Sequence, residues 1–255
     1  MISIGLDIGS VAAKGIMLDS ARQYSLMIPT GWSPRDAGRQ LIDRLLDSSG
    51  YNEVEVESII VTGYGRVAIR QATGSVTEIR CHARGVAEIC SGVSTIIDIG
   101  GQDSKVIHID KSGRVLDFAM NDKWAAGTGK FLQVMANALE MDVSELGEAE
   151  DLNTIVSINS MCTVFAESEI IGLFAQGTPK GGIIAGLHQS VGKRVGGMAK
   201  RLGVKEQVAF TGGVAQNQGV IRALEQELGC RVIVPEVCQF TGALGAALIG
   251  REKLQ

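Results

Sequence analysis

The chain has 255 residues, 45% of them apolar and 20% charged, with a formal net charge of -4. That length and apolar content allow one large domain or two small ones around a real core. The mild acidity gives no support for a nucleic-acid partner or an anionic membrane surface, either of which favours a clustered basic face.

In chain order, the N-terminus MISIGLDIGS has neither the basic flank nor the apolar run of a signal peptide. No later window reaches the roughly 18 continuous apolar residues of a membrane helix, so a soluble, cytoplasmic chain is the expectation. Residues 2–18, ISIGLDIGSVAAKGIML, read as an apolar strand, an Asp-Ile-Gly turn and a second apolar strand. PRDAGRQLIDRLLDSSG (34–50) has helical spacing in Leu41, Leu45 and Leu46. VESIIVTGYGR (56–66) is a strand running into a glycine-rich turn, and a helix is expected from about residue 79. TIIDIGGQDSKVIHI (95–109) then repeats the opening pattern. With Asp7 on Asp98, Ile8-Gly9 falls on Ile99-Gly100, Lys14 on Lys105 and Ile16 on Ile107. Such an echo indicates duplicated halves rather than one continuous sheet.

Beyond the echo, GKFLQVMANALEM reads as a helix, and SINSMCTVFAESEIIGLFAQG opens a second long one. GGIIAGLHQSVGKRVGGMAKRLG is periodic and punctuated by glycine, hence helical with close neighbours. VAFTGGVAQN is a strand entering a Gly-Gly turn, NQGVIRALEQELG a helix, RVIVPEV a short strand and FTGALGAALIGREKL a terminal helix. The alternation of strands and helices predicts α/β layering.

Three glycine turns directly follow apolar strands: DIGS at 7–10, DIGGQDS at 98–104 and FTGG at 210–213. Glycine lets backbone N–H groups approach a phosphate closely, so these turns are candidate phosphate loops. Asp7 and Asp98 end buried strands, where a carboxylate needs a cation or hydrogen-bond donors. Two such carboxylates at a triphosphate would hold Mg²⁺, with waters kept in its shell. Turn-capping aspartates are the plainer alternative. Gln102 and Asp103 are placed to orient an attacking water or the metal shell, or else to hydrogen-bond their own hairpin. Lys14 and Lys105 either meet phosphate oxygens or serve as solvated or packing lysines. Gly127, Thr128 and Gly129 form a tight helix-opening turn, near a nucleotide or at a packing hinge. Glu167 and Glu169 share a helical turn, with solvent exposure as their bland role. His82, His108 and His188 are scattered and suggest no metal site. The five cysteines, at 81, 90, 162, 230 and 238, are odd in number and lack a C-x-x-C pair, which argues against a disulfide framework.

IGLDIGS, IIDIGGQDSK and FTGGVAQN resemble the phosphate-1, phosphate-2 and adenosine motifs of the actin, heat-shock chaperone and sugar-kinase superfamily. More specifically, VTGYGR, TEIRCHARG, IDIGGQDSKVI, MNDKWAAGTGKF, SMCTVFAESEII and FTGGVAQN are similar to the ATP-dependent activators of 2-hydroxyacyl-CoA dehydratases. The matching subunits of benzoyl-CoA reductases share them. The resemblance runs from Ile4 to about Gly250.

It implies an α/β fold of two actin-like (ribonuclease H-like) lobes with a duplicated βββαβα-type core. The first lobe would span 1–94, with the C-terminal helix returning to it. The second, 95–255, would carry the adenosine motif and the helices facing a dimer partner and a cluster. The implied activity is that of a homodimeric ATPase. ATP-driven helix movement passes a low-potential electron from a shared [4Fe-4S] cluster to an iron–sulfur acyl-CoA dehydratase or reductase. Gly9, Ser10, Lys14, Gly100 and Gly101 would meet phosphate, Gly212 and Gly213 would pass under the adenosine, and Asn217 would touch ribose or adenine. The two cluster cysteines of each subunit would match Cys162 and position 124, where this chain has Trp124. Indole N–H only donates, so Trp124 is no ligand. Three outcomes stay open: loss of the cluster with Trp124 filling the dimer seam, replacement by Cys81 or Cys90, or ligands from elsewhere. A small-molecule kinase of the same superfamily, with Asp103 or Asp122 recruited, and a non-catalytic nucleotide sensor are the other readings.

Overall fold

The computed structural model describes residues 1–121, 127–159 and 163–254. In chain order the first elements are β1 (Ser3–Ile8), β2 (Ala12–Leu18), β3 (Gln23–Pro29), α1 (Pro34–Ser49), β4 (Ser58–Thr62), β5 (Gly74–Ser75) and α2 (Glu78–Ile89). Then come β6 (Thr95–Ile99), β7 (Ser104–Ile109), β8 (Val115–Met120), α3 (Gly129–Ala138), α4 (Thr163–Ala175) and α5 (Lys180–Leu202). The last are β9 (Val208–Thr211), α6 (Gln218–Leu228), β10 (Val232–Ile233) and α7 (Thr241–Glu252). They divide into two compact units: Met1–Val93 with Ile109–Leu116 and Pro235–Gln255, and Ser94–His108 with Asp117–Val234.

The first unit is built on a five-stranded sheet in the order β3-β2-β1-β4-β5. β1, β2 and β3 are antiparallel neighbours, while β4 runs parallel to β1. Alternation in β1 sends Ile4, Leu6 and Ile8 into a core shared with Leu41, Ile42 and Leu45 of α1. That helix begins where its residues dictate. Pro34 stands in the first turn, the Ser33 hydroxyl accepts from the Asp36 N–H at 3.3 Å, and Gly50 closes the end with a φ of 78°. On the other face, Ile16 and Leu18 pack with Ala243, Leu244, Ala247 and Leu248 of α7. The Ser3 hydroxyl donates to the Ala247 carbonyl at 2.8 Å. Gly5 is needed for this approach, because a Cβ there would stand 2.1 Å from the Ala243 carbonyl oxygen and 2.2 Å from the Ala247 nitrogen. Alternate residues of β1 thus track along α7, and Asp7 is brought to the helix's first turn.

The second sheet repeats the scheme in the order β10-β9-β6-β7-β8. β6 pairs antiparallel with β7 and parallel with β9. Its core includes Ile96, Phe131 and Phe210, all fully buried. The fold is mixed α/β with two five-stranded sheets. The edge strands β3 and β8 carry exposed residues along most of their length, among them the apolar Met27, Leu116, Phe118 and Met120. Among the described residues no helix is long and apolar enough to cross a membrane.

Candidate functional site

The register of the two sheets sets the same three residue types side by side in each unit. Asp7 of β1 lies opposite Lys14 of β2 and beside Thr62 of β4. Asp98 of β6 lies opposite Lys105 of β7 and beside Thr211 of β9. An Asp-Lys-Thr row thus crosses three neighbouring strands at each glycine turn. The sequence offset of seven between Asp and Lys is what hairpin pairing converts into direct opposition. Neither threonine was among the site candidates of the sequence, although both lie in its Val-Thr-Gly and Phe-Thr-Gly strings.

In the first unit the row is open. Lys14 Nζ stands 3.8 Å from Asp7 Oδ2, with the two side chains 19% and 10% exposed. A Cβ on Gly242 would lie 3.1 Å from Asp7 Oδ2, so the carboxylate faces the first turn of α7, where backbone partial charge favours an anion. Gly63, with a φ of 86°, closes the other side; a Cβ there would meet Asp7 Oδ1 at 2.6 Å. Behind this wall the His82 ring bonds Thr241 through Nδ1 at 2.9 Å. Gly9 and Ser10 are half-buried at the turn. The turn is tied down by Thr30, whose hydroxyl donates to the Gly9 carbonyl at 2.7 Å and whose N–H donates to the Val11 carbonyl at 3.0 Å. A Cβ on Gly9 would stand 3.7 Å from Lys14 Nζ, which places that cation at the turn itself.

In the second unit the row is closed. Lys105 Nζ lies 2.7 Å from Asp103 Oδ1 and 3.7 Å from Asp98 Oδ2, and the Lys105 and Asp98 side chains are each 3% exposed. The Thr211 hydroxyl donates to Asp98 Oδ1 at 2.8 Å. Lys105 is therefore a packing lysine sealed between two carboxylates, and the solvated alternative does not hold. Asp103 sits in a tight turn in which the Gly100 N–H donates to its carbonyl at 3.0 Å; Gly101 and Gln102 are half-buried at the tip.

Gly127, Thr128 and Gly129 brace this turn. The Gly129 and Lys130 N–H groups donate to the carbonyls of Gly100 and Gly101 at 2.9 and 2.8 Å. The Thr128 hydroxyl caps α3 by accepting from the Phe131 N–H at 3.2 Å, and the Ser104 hydroxyl donates to the Gly127 carbonyl. Asn121 adds a bond from the Ser104 N–H to its Oδ1 at 2.7 Å. At the third turn Gly212, with a φ of 90°, crosses the end of β6 so closely that a Cβ would lie 2.2 Å from the Ile99 carbonyl oxygen. Gly213 is exposed, and Asn217 caps α6 by accepting from the Val220 N–H at 3.0 Å. Glu167 lies on α4, and Glu169 accepts from the Asn159 N–H at 3.0 Å.

Trp124, Cys162 and Asp122 fall outside the described residues. The cysteines considered as replacement ligands do not suit that role. Cys81 is wholly buried among Ile60, Val76, Ala246 and Ile249, and burial pushes its thiol up to about 12. The nearby Thr62 hydroxyl opposes that shift but does not offset the burial. Burial also raises the Cys90 thiol. Cluster ligation needs a thiolate, which both sites disfavour.

The sequence profile of the BadF/BadG/BcrA/BcrD ATPase family matches residues 4–250. The chain belongs to that family. A 2-hydroxyisocaproyl-CoA dehydratase activator of Clostridioides difficile is 47% identical over 97% of this chain and 94% of its own. An (R)-2-hydroxyglutaryl-CoA dehydratase activating ATPase of Acidaminococcus fermentans is 44% identical over 98% and 97%. The solved structure of the activator of the 2-hydroxyisocaproyl-CoA dehydratase from Clostridium difficile, with bound ADPNP, superposes with a TM-score of 0.90. It shares 45% identity and covers 99% of this chain and 95% of that one. A glucokinase of the ROK family from Streptomyces griseus shares the fold alone, with a TM-score of 0.61, 14% identity, and 99% and 100% of the two chains covered. The chain is thus an actin-like member of an ATPase family whose relatives activate 2-hydroxyacyl-CoA dehydratases.

Proposed function

We propose that this chain hydrolyses ATP to activate a partner acyl-CoA dehydratase or reductase, through ATP-driven helix movement in a homodimer. The two compact units would be its actin-like lobes, with the first boundary near residue 94. The observation that carries this reading is the Asp-Lys-Thr row repeated at two strand-to-glycine turns, open at Asp7 and braced at Asp98. Gly9, Ser10 and Lys14 offer N–H groups and a cation to phosphate oxygens at the first turn. Gly100 and Gly101 do so at the second, with Gly127, Thr128 and Gly129 holding that turn in shape. Gly212, Gly213 and Asn217 serve the adenosine.

Asp7, beside Lys14 and only partly covered, would hold Mg²⁺, and Asp98, already engaged by Lys105 and Thr211, would do so only through water. Bound there, Mg²⁺ would supply charge neutralisation at the phosphates. Gln102 orients the attacking water, and Asp103 positions that turn through Lys105 rather than taking the proton. The partner would be an iron–sulfur acyl-CoA enzyme, with neither nucleic acid nor membrane involved, and the site of action the cytoplasm.

The cluster does not fit the chain in the same way. Trp124 offers no lone pair, Cys162 alone would give a dimer two thiolates, and Cys81 and Cys90 are buried thiols. No electron is therefore routed through a cluster of this chain. The test measures phosphate release from Mg·ATP by protein purified without oxygen, together with its iron content and visible absorbance. We expect slow release that needs no sugar acceptor, a loss of at least about 100-fold in Asp7→Asn, and a colourless, iron-free protein. About four irons per dimer, with absorbance bleached by dithionite, would restore the electron-delivering reading. Turnover that depends on a sugar acceptor would make the chain a kinase.

A further inference from the structure

The segment between α3 and α4 contains a short helical turn at Glu145–Gly147, whose Leu146 is fully buried. Backbone bonds hold it to α5, with the Asp151 N–H donating to the Gly181 carbonyl at 3.0 Å, and one carboxylate adds a side-chain tie. Glu150 Oε2 accepts from His188 Nδ1 at 2.7 Å, and its Oε1 accepts from Arg222 Nε at 2.7 Å. Arg222 Nη2 also pairs with Glu150 Oε1 and donates to the Gly147 carbonyl at 3.2 Å. His188 belongs to α5 and Arg222 to α6, so a single side chain ties the segment to two helices. The Glu150 side chain is 7% exposed and that of His188 1%. Burial pushes the Glu150 carboxyl up, but the bonds from His188 and Arg222 outweigh it and hold the group below its ordinary range. Burial keeps His188 below its ordinary value as well. A neutral imidazole therefore donates through Nδ1 to an ionised carboxylate, leaving Nε2 buried without a partner among the described residues.

What this clamp holds is the Gly147 backbone against the start of α6. A Cβ on Gly147 would lie 3.2 Å from the Gln218 nitrogen and 3.5 Å from Asn217 Oδ1. On the far side, a Cβ on Gly219 would meet His188 Nδ1 at 2.0 Å, so helix, imidazole and turn leave no slack. We propose that Glu150 is a positioning residue: by clamping the Glu145–Gly147 turn onto Asn217 it sets the affinity and base preference for the nucleoside end of the ATP. The phosphate chemistry lies at the other turns and is left alone. The inference rests on the reading of Gly212, Gly213 and Asn217 as the adenosine site.

The experiment measures kcat and KM for ATP and GTP, and ATP binding by calorimetry, in the full chain and in Glu150→Gln. The expected result is a KM for ATP raised about tenfold with kcat within about twofold, and a narrowed preference for ATP over GTP; a purely structural lesion would move kcat with it. An unchanged KM in a protein that binds ATP normally overturns the clamp but spares the ATPase reading. So does a fall in kcat at constant KM. Wild-type protein that binds no ATP overturns both. Should Glu150→Gln fail to fold, Arg222→Lys keeps the charge but loses the fork that reaches Gly147, and the same split between KM and kcat decides.

Discussion

The two copies of the strand-turn-strand motif have the same Asp, Lys and Thr in the same register but in different states. In β1 and β2 the Asp7–Lys14 pair is loose and reachable, and the neighbouring Thr62 hydroxyl has no hydrogen-bond partner of ordinary geometry among the described residues. In β6 and β7 the Asp98–Lys105 pair is sealed, Asp103 shares the lysine, and Thr211 donates to Asp98. The difference arises from a single added carboxylate. Position 103 of the second copy aligns with Ala12 of the first, so only the second turn has a neighbour to draw its lysine inward. The echo thus sets a looser, partly exposed Asp-Lys pair in one unit against a sealed pair in the other.

The largest effect that should separate the copies comes from removing each lysine. Lys105→Met strands two buried carboxylates and should cost about 3–5 kcal/mol, whereas Lys14→Met, on a partly exposed pair, should cost under about 1 kcal/mol. Chemical denaturation of both variants measures the contrast, and equal losses would break it. If Lys14 also serves phosphate, its variant should show weakened ATP binding despite near-normal stability.

The threonines sharpen the comparison at a smaller scale. Thr211→Val removes a hydroxyl donated to a buried carboxylate and should destabilise by about 1.5–3 kcal/mol. Thr62→Val removes a buried hydroxyl that makes no ordinary bond, so its stability should stay within about 0.5 kcal/mol or rise. Parallel melting curves decide; a Thr62→Val loss as large as that of Thr211→Val would mean the two rows are alike after all.

The smallest expected difference is in pH response. His108 of β7 lies opposite Thr95, where the first copy has Met17 opposite Ile4. Burial, with Lys205 adding repulsion, holds His108 below its ordinary value. Below about pH 6.5 the unfolded chain takes up a proton that the folded chain refuses, so stability falls as the pH drops, by at most about 1.4 kcal/mol per unit for one such group. His188 contributes in the same window and sense. His108→Met, which gives the second copy the residue of the first, should flatten the fall between about pH 6.5 and 5 without abolishing it. An unaltered slope in denaturation midpoints would remove His108 from the account.

Much of this was legible in the chain. The strands of the echo, the cap of α1 at Ser33-Pro34, α5 and α6 with their closing glycines, and α7 all follow from local periodicity and turn chemistry. The three glycine turns and both aspartates could be singled out because strand-to-glycine transitions are local features. The brace role of Gly127, Thr128 and Gly129 was not readable, since it depends on N–H groups meeting the carbonyls of a distant earlier turn, a partner that no local pattern names. Thr30, Thr62, Thr211 and the Glu150–His188–Arg222 clamp were missed for the same reason: ordinary polar residues acquire meaning only from what burial puts beside them.

The amino-acid order by itself determined most of the element sequence, the echo and the three strand-to-glycine turns, because each is carried by residues close together in the chain. Only the tertiary structure decided which copy is open and which is sealed, that α7 crosses β1 at Gly5, and that the turn at Glu145–Gly147 rests on Asn217. Those outcomes depend on desolvation and close packing between segments up to 244 residues apart, and a carboxylate's fate is set by the cation and donors that folding delivers to it.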